Sequence, residues 1–220
     1  MAMDYMNIPI EGISISETPE VIHIQSTSPL TTLSSAIVGS GFQHIRHILN
    51  AHVDKNYAGS NPQAELRALA RRQNIHEPFI GLLTAVHLRK MRAAFFESDG
   101  LSVGSLITAG VSNATCAGVT PPFSYQPGTI NIILLLDALL TRGAMLNAFI
   151  PVTEAKCTVL QSRNIRTPDD DPATGTSTDT VTVAATGRGS LNSYAGPATL
   201  LGWLIARAVR RALEDSLSAS

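Results

Sequence analysis

A dense group of side chains that could do chemistry lies in the segment 172–179, whose sequence is PATGTSTD. Four hydroxyl groups, one glycine and one carboxylate fall within it. Hydroxyls and free backbone N–H groups can surround an oxygen-rich group, and glycine lets the backbone approach a ligand closely. The apolar run 181–185 follows at once and predicts a β-strand. A polar turn before a buried strand would account for the same residues, so this segment indicates a site only in combination with others.

Two further segments show the same pattern. Residues 108–114 (TAGVSNA) and 128–131 (GTIN) also place Gly, Thr and Asn at an end of an apolar, β-rich run. Loops at sheet edges are where binding and catalytic sites are usually built. The three loops therefore predict one polar site at the ends of neighbouring strands.

Composition limits the classes of function that fit the chain. Its length of 220 residues favours one domain spanning 1–220. Apolar residues make up 44% of the chain and charged residues only 15%, which indicates a compact fold with a large interior. The net charge of −1 gives no electrostatic basis for binding nucleic acid. Cys116 and Cys157 have neither metal-ligand nor disulfide-framework spacing, which favours a reducing, cytoplasmic setting. We expect no signal peptide and no membrane span, since no apolar run approaches the roughly 20 residues that a bilayer requires.

The strands cluster early and in the middle of the chain. Alternating residues predict an N-terminal β-hairpin within residues 1–30, built from 12–16 and 21–25. Residues 33–38 predict a third strand, whereas 44–53 fit neither a helix nor a strand clearly. Further strands are predicted at 79–86, 92–96, 101–109, 128–136 and 181–185.

Three helices are expected between and after these strands. Asn61 and Pro62 begin one that runs to about Gln73. Thr141 can cap a second, in which Pro151 predicts a kink or a break between two elements. Pro197 begins a long amphipathic C-terminal helix. Without strict βαβ alternation, the pattern predicts an α+β or mixed α/β fold in which helices flank a mixed β-sheet.

The motifs occur in an order that resembles the adenosylcobinamide amidohydrolase family. Each motif is weak alone, but their order is specific, and the resemblance covers about residues 33–213. It implies a hydrolase that cleaves the aminopropanol amide of adenosylcobinamide and releases adenosylcobyric acid, in the salvage of cobalamin (vitamin B12) precursors. It carries over no catalytic role to any residue. The motifs are 34–36 (SSA), 81–85 (GLLTA), 108–114, 128–131, 154–156 (EAK), 173–179 and the helix start at 196–197 (GP).

Amide hydrolysis needs an activated attacking group, a donor for the oxyanion and a proton for the leaving amine. Asp179 and Glu154 are the candidate general bases, and Lys156 could hold the oxyanion or protonate the amine. Thr174 and Thr176 are the candidate nucleophiles. Two positions apart on a predicted helix, Glu154 and Lys156 point away from each other. A surface pair remains the alternative for these two, and a turn carboxylate the alternative for Asp179.

The remaining polar groups of the motifs are the expected substrate-binding set. Asn113, Asn131 and the N–H groups around Gly175 could bind the oxyanion. On the loop 118–128, Phe123 and Tyr125 could form a wall against the corrin ring, or they could anchor the loop itself. The full set is Ser35, Thr84, Thr108, Ser112, Asn113, Thr129, Asn131 and Gly175.

No metal and no cofactor are expected. The histidines lack the H-x-x-x-H and H-x-H spacings common in zinc enzymes. The D-x-H-x-x-G run of proteins that ligate corrinoid cobalt is also absent, so the corrinoid is expected as the substrate. A non-catalytic corrinoid-binding protein is the alternative function, and acyl transfer through a threonine is a third. Whether the chain forms a homo-oligomer is left open.

Overall fold

A computed structural model describes residues 4–6, 8–122 and 128–219. Nine of the described strands form one mixed sheet, in the order β1-β2-β3-β12-β9-β7-β6, with β4 paired to β3 and β5. The strands are β1 (Asp4–Met6), β2 (Ile13–Glu17), β3 (Val21–Ser34), β4 (Gly41–His52), β5 (Phe79–Thr84), β6 (Arg92–Ser98), β7 (Leu101–Ala109), β8 (Ala114–Thr115), β9 (Ile130–Asp137), β10 (Leu139–Leu140), β11 (Gly175–Thr176), β12 (Thr180–Ala185) and β13 (Leu191–Asn192). The helices are α1 (Pro62–Arg72), α2 (Arg142–Ser162) and α3 (Leu200–Ser218), with a short 3₁₀ turn at Leu88–Lys90.

Most neighbouring strands are antiparallel, and β2 and β3 form a hairpin. Within the nine-stranded sheet, the described strands form two parallel pairs: β4 with β5, and β9 with β12. Parallel neighbours need a long crossover, and here the crossovers carry α1 and α2 respectively. The expected α+β fold, with a mixed sheet flanked by helices and a C-terminal helix, is confirmed.

Three apolar layers hold these elements together. Along β9, Ile132 and Leu134 belong to the core beneath α2 and α3. Ile133 and Leu135 alternate with them and belong to a second core, which they share with strands β2 to β5. Successive strand residues point to opposite faces, so the half of the sheet containing β9 is buried on both sides. A third core joins α1 to the outer face of β4 and β5.

The hairpin strand β3 is longer than the sequence predicts. Leu33 and Ser34 do not begin a separate strand, because β3 continues through them to pair with both β4 and β12. The register with β4 shifts between Gln25 and Leu30, and Pro29 lies in this shift. Proline cannot donate to a strand ladder, so it is tolerated where pairing lapses. The predicted third strand at 33–38 is therefore wrong beyond Ser34.

Other differences concern where elements begin and continue. The ambiguous stretch 44–53 belongs almost entirely to strand β4. Helix α2 continues through Pro151, so of the two predicted alternatives there, a kink or a break, the break is wrong. The C-terminal helix begins at Leu200 rather than at Pro197, because the hydroxyl of Thr199 caps it by accepting a hydrogen bond from the N–H of Gly202. Asn61 and Thr141 cap α1 and α2 as predicted.

No helix among the residues that the structure describes is both long enough and apolar enough to cross a lipid bilayer.

Candidate active site

Strand pairing brings the three polar loops together. Strands β9 and β12 are parallel neighbours in which Asn131 pairs with Thr180, so the segments that precede them lie side by side. Strand β7 runs antiparallel to β9 and pairs Ala109 with Ile130, so the segment after β7 reaches the same edge. The sheet topology thus places the segments 110–114, 128–129 and 173–179 at one end of three adjacent strands.

Hydrogen bonds join these loops directly. The amide of Asn113 donates to the carbonyl of Gly128 at 2.9 Å and to the hydroxyl of Ser177 at 2.7 Å. The hydroxyl of Thr129 donates to the carbonyl of Thr178 at 2.8 Å. The predicted convergence of the three loops is confirmed.

A cavity of about 470 Å³ opens beside the joined loops. Of the expected site residues, its lining includes Ser35, Thr84, Thr129 and Asp179. Tyr57 also lines it, from the segment between β4 and α1, and sequence reasoning missed this residue. Phe123 and Tyr125, the expected corrin wall, lie outside the described residues.

Asp179 is the centre of a hydrogen-bonded group at the edge of this cavity. One carboxylate oxygen, Oδ1, accepts from the hydroxyl of Thr176 and from the N–H of Ile130, the latter at 3.2 Å. The other, Oδ2, accepts from the ammonium of Lys156 and from the N–H of Thr176, the latter at 3.2 Å. A carboxylate offers about four lone-pair sites, and all four are in use. We call Thr176, Asp179 and Lys156 the Thr–Asp–Lys cluster.

The cluster is shielded from solvent, with side chains of Lys156 and Asp179 only 13% and 14% exposed. Ion pairs in such surroundings are screened less than surface pairs. Lys156 reaches Asp179 from helix α2, whereas Glu154 lies on the exposed side of the same helix. The prediction that these two residues point away from each other is confirmed.

Gly175 makes room for the ion pair. A Cβ atom at this position would lie 2.7 Å from the Nζ atom of Lys156, and it would also press on Asp179. Gly175 therefore lies against the cluster because it has no side chain.

Thr174 faces a different neighbour from Thr176. Its hydroxyl accepts a hydrogen bond from the N–H of Ala117 at 2.9 Å, and its own N–H donates to the carbonyl of Thr115. Cys157 donates to the carbonyl of Thr174 at 3.2 Å, and burial raises the pKa of its thiol. Raising the pKa disfavours the thiolate, so Cys157 is a poor nucleophile.

One of the two expected amides, Asn131, belongs to a buried network that includes the backbone of Leu83, a residue of the cavity wall. Asn131 donates to the side chain of Asn50 and to the carbonyl of Leu83, and Asn50 donates in turn to the hydroxyl of Thr108. Each of these three polar side chains is at most 2% exposed. Both amide hydrogens of Asn131 are thus engaged, as are those of Asn113, which leaves neither amide a hydrogen for an oxyanion.

Sequence reasoning missed Asn50, although an asparagine inside the apolar run 48–51 was a visible signal. Ser112, an expected substrate-binding residue, is exposed and lines a second, adjoining hollow rather than the cavity beside Asp179. Among the residues that the structure describes, no group of three or more His, Cys, Asp or Glu side chains is placed to hold a metal ion.

Comparison with known proteins identifies similar chains. A family model described as adenosylcobinamide amidohydrolase matches residues 6–220. The adenosylcobinamide amidohydrolase of Methanosarcina mazei is 31% identical over 189 residues, which are 82% of this chain and 86% of that protein. An uncharacterized protein of Methanocaldococcus jannaschii is 46% identical over 92 residues, 41% of this chain and 36% of that protein. A solved structure, the PH0078 protein from Pyrococcus horikoshii OT3, aligns over 93% of this chain and 78% of that one, with 13% identity and a TM-score of 0.47.

Proposed function

Because the chain belongs to the adenosylcobinamide amidohydrolase family, we propose that it cleaves the aminopropanol amide of adenosylcobinamide and releases adenosylcobyric acid. It is a hydrolase that acts on an amide. The product would re-enter cobalamin synthesis, which makes the reaction a salvage step. The observation that carries the chemical part of this proposal is the direct hydrogen bond from the hydroxyl of Thr176 to Asp179, a carboxylate that also holds Lys156.

Thr176 is the nucleophile in this mechanism. A nucleophilic hydroxyl needs a base within hydrogen-bond reach and a third group that orients the base. Thr176, Asp179 and Lys156 meet these requirements in that order. Thr176 is itself 9% exposed, and its partner Asp179 lines the cavity.

The hydrogen bonds already made by the carboxylate of Asp179 favour Thr176 over a water molecule as the first attacking group. Four donors already occupy the acceptor sites of Asp179, so a water would have to displace one of them. Thr176 already holds one of these sites, and its proton lies on the path to the carboxylate. Asp179 can therefore take that proton without rearrangement.

Lys156 supports the developing negative charge. Its ammonium has three N–H donors, and the bond to Asp179 uses one of them. A second donor aimed at the former carbonyl oxygen would stabilise the tetrahedral oxyanion, a contribution often worth about 3–4 kcal/mol in such sites. This role replaces the one that the sequence suggested for Asn113 and Asn131.

The bonds and protons balance in two stages. In the first, the oxygen of Thr176 bonds to the amide carbon, and its proton passes to Asp179. The carbon–nitrogen bond then breaks, Asp179 gives the proton to the leaving nitrogen, and aminopropanol departs. The corrinoid acid remains as an ester on Thr176.

In the second stage, the ester oxygen no longer carries a proton for Asp179. The acceptor site on Oδ1 is then open, and a water can bind there. Asp179 takes one proton from this water, whose oxygen attacks the ester carbon. Thr176 leaves, recovers the proton from Asp179, and the corrinoid acid is released and ionises.

The test of the proposed reaction is incubation of the purified protein with adenosylcobinamide alone. We expect free aminopropanol and adenosylcobyric acid in equal amounts, detected by mass spectrometry, without any nucleotide. Binding of the corrinoid without product would favour the non-catalytic alternative. A requirement for ATP would contradict simple hydrolysis.

A further inference from the structure

A second hollow adjoins the cavity beside Asp179. Its volume is about 370 Å³, and it shares two wall residues, Ala85 and Gly128, with that cavity. Lys55 reaches it from the segment after β4, and Lys90 from the 3₁₀ turn after β5. We call this hollow the lysine lobe. It is lined by Lys55, Ala85, Val86, His87, Lys90, the segment 109–112, Gly128 and Leu217.

Lysine is rare in this chain, and its placement is selective. The sequence contains three lysines, Lys55, Lys90 and Lys156, and the other thirteen of its sixteen basic residues are arginines. Two of the lysines line the lobe, and the third belongs to the Thr–Asp–Lys cluster, whose Asp179 lines the adjoining cavity. No arginine appears among the described residues that line either hollow.

The lysine lobe has an excess of positive charge. No Asp or Glu appears among its described lining residues. Neither Lys55 nor Lys90 forms an ion pair with any residue in the described ranges. A compact ammonium on a flexible stem suits a single anionic oxygen, whereas the planar arginine fork suits two at once. The lobe is therefore fitted to one small anionic group.

We propose that the lysine lobe binds the carboxylate of the corrinoid acid that the reaction produces. This inference rests on the proposed function, in which hydrolysis converts a neutral amide into a carboxylate beside Asp179. Two carboxylates at short range repel each other, and the adjoining ammonium groups attract the new one. The uncharged amide of the substrate experiences neither force. Charge thus separates product from substrate: the acid shifts from the cavity into the lobe, and Thr176 and Asp179 are freed.

The experiment measures binding of supplied ligands, so that its result does not depend on turnover. Equilibrium dialysis gives Kd for adenosylcobyric acid and for adenosylcobinamide, with the double variant Lys55→Gln/Lys90→Gln compared with the wild type. We expect the acid to bind to the double variant about tenfold more weakly than to the wild type. This corresponds to the loss of two partly exposed charge contacts that each contribute somewhat under 1 kcal/mol. The affinity for adenosylcobinamide should change less than about twofold, since it has no charge at this position.

The matched control is Arg89→Gln/Arg210→Gln, which removes the same charge from two exposed positions outside the lobe. It should leave the affinity for the acid near the wild-type value, and thermal melts check the folding of both variants. Raising the salt concentration should weaken binding of the acid to the wild type, because partly exposed charges are screened. Binding to the double lysine variant should depend less on salt.

Equal weakening of both ligands in the lysine variant would overturn the proposal, as would unchanged binding of the acid. A failure of the proposed function looks different. In that case aminopropanol would not be released, while the acid could still bind through the two lysines.

Discussion

Two of the hydrogen-bonded groups of polar side chains in this β-structure contain a carboxylate paired with a nitrogen-bearing side chain, yet they differ in their remaining members. The Thr–Asp–Lys cluster lies at the ends of β9 and β12, next to a cavity. The second group joins β3, β4 and the segment before β5: Nε2 of His23 is 2.9 Å from Nδ1 of His47, whose Nε2 is 3.0 Å from a carboxylate oxygen of Glu77. We call this second group the histidine chain.

Both groups contain a carboxylate that contacts a side chain able to carry a proton, but only the cluster includes a hydroxyl group hydrogen-bonded to that carboxylate. In the cluster, Asp179 accepts directly from the hydroxyl of Thr176. In the histidine chain, burial and the neighbouring His47 lower the pKa of His23 to about 4, and the chain ends at this ring rather than at a hydroxyl or thiol. A carboxylate–histidine pair therefore does not by itself define a catalytic site. A catalytic site also needs a group that can attack the substrate and open space beside that group.

The largest difference in kcat between substitutions in the two groups is expected for Asp179→Asn. This substitution keeps the shape of the side chain but removes the base, so kcat should fall by about two to four orders of magnitude, the usual contribution of general acid–base catalysis. Asp170→Asn is the matched control, because Asp170 is exposed and its positive φ of 67° suits asparagine. It should have little effect, and Glu77→Gln in the histidine chain should leave kcat within about threefold. Near-normal turnover in a folded Asp179→Asn protein would remove Asp179 from the mechanism.

Gly175→Ala tests the packing of the cluster rather than its charges. The added Cβ would lie 2.7 Å from Nζ of Lys156, so the ion pair must shift. We expect kcat to fall about 10- to 100-fold, with about 1–3 kcal/mol of lost stability from overpacking. Gly143→Ala provides the control on helix α2, since its new Cβ would meet nothing closer than 3.7 Å. It should be neutral or stabilising by up to about 1 kcal/mol. Equal behaviour of the two variants would show that Gly175 is not fixed by the cluster.

The location of this candidate site could be predicted from the sequence, but the contacts between residues far apart in the sequence could not. Thr176 and Asp179 lie three residues apart in a conspicuous segment, and β12 follows them. Lys156 is 23 residues from Asp179, and the crossover helix α2 brings it there. The engagement of both amide hydrogens of Asn131 depends on Asn50, 81 residues away. Such contacts follow from strand order, which local patterns do not determine.

Dependence on long-range contacts also explains where the fold differs from the sequence prediction. Residues 33–34 looked like the start of a strand because a polar, proline-containing run precedes them. Pairing with β12 on one side and β4 on the other instead extends β3 through that run. Tertiary contacts also carry helix α2 through Pro151, where local propensity alone predicts an interruption.

The smallest predicted effect concerns the histidine chain and is a change in stability with pH. The pKa of His23 is about 4 in the folded state and about 6.5 in the unfolded state. Between these values the unfolded chain binds the extra proton, so stability falls as pH decreases from about 6.5 to about 4. Partial exposure of the ring reduces this contribution to about 1–2 kcal/mol.

His23→Gln should remove this part of the pH dependence and leave the maximal kcat near the wild-type value. The measurement is urea unfolding of both proteins at pH 7 and at pH 4.5. The loss of stability on acidification should be smaller in the variant. An unchanged difference between the two pH values would show that His23 does not titrate as described.

The central claim is that the hydroxyl of Thr176 attacks the amide, and the most direct test is the rate of aminopropanol release by Thr176→Val and Thr176→Ser. Valine matches the shape of threonine but has no hydroxyl, so kcat should fall by about three orders of magnitude or more, comparable to the loss of a catalytic nucleophile. Serine keeps the hydroxyl and should retain activity within about tenfold to thirtyfold of the wild type, the change being limited to positioning. If folded Thr176→Val releases aminopropanol within tenfold of the wild-type rate, Thr176 is not the nucleophile and the account of the cluster is contradicted.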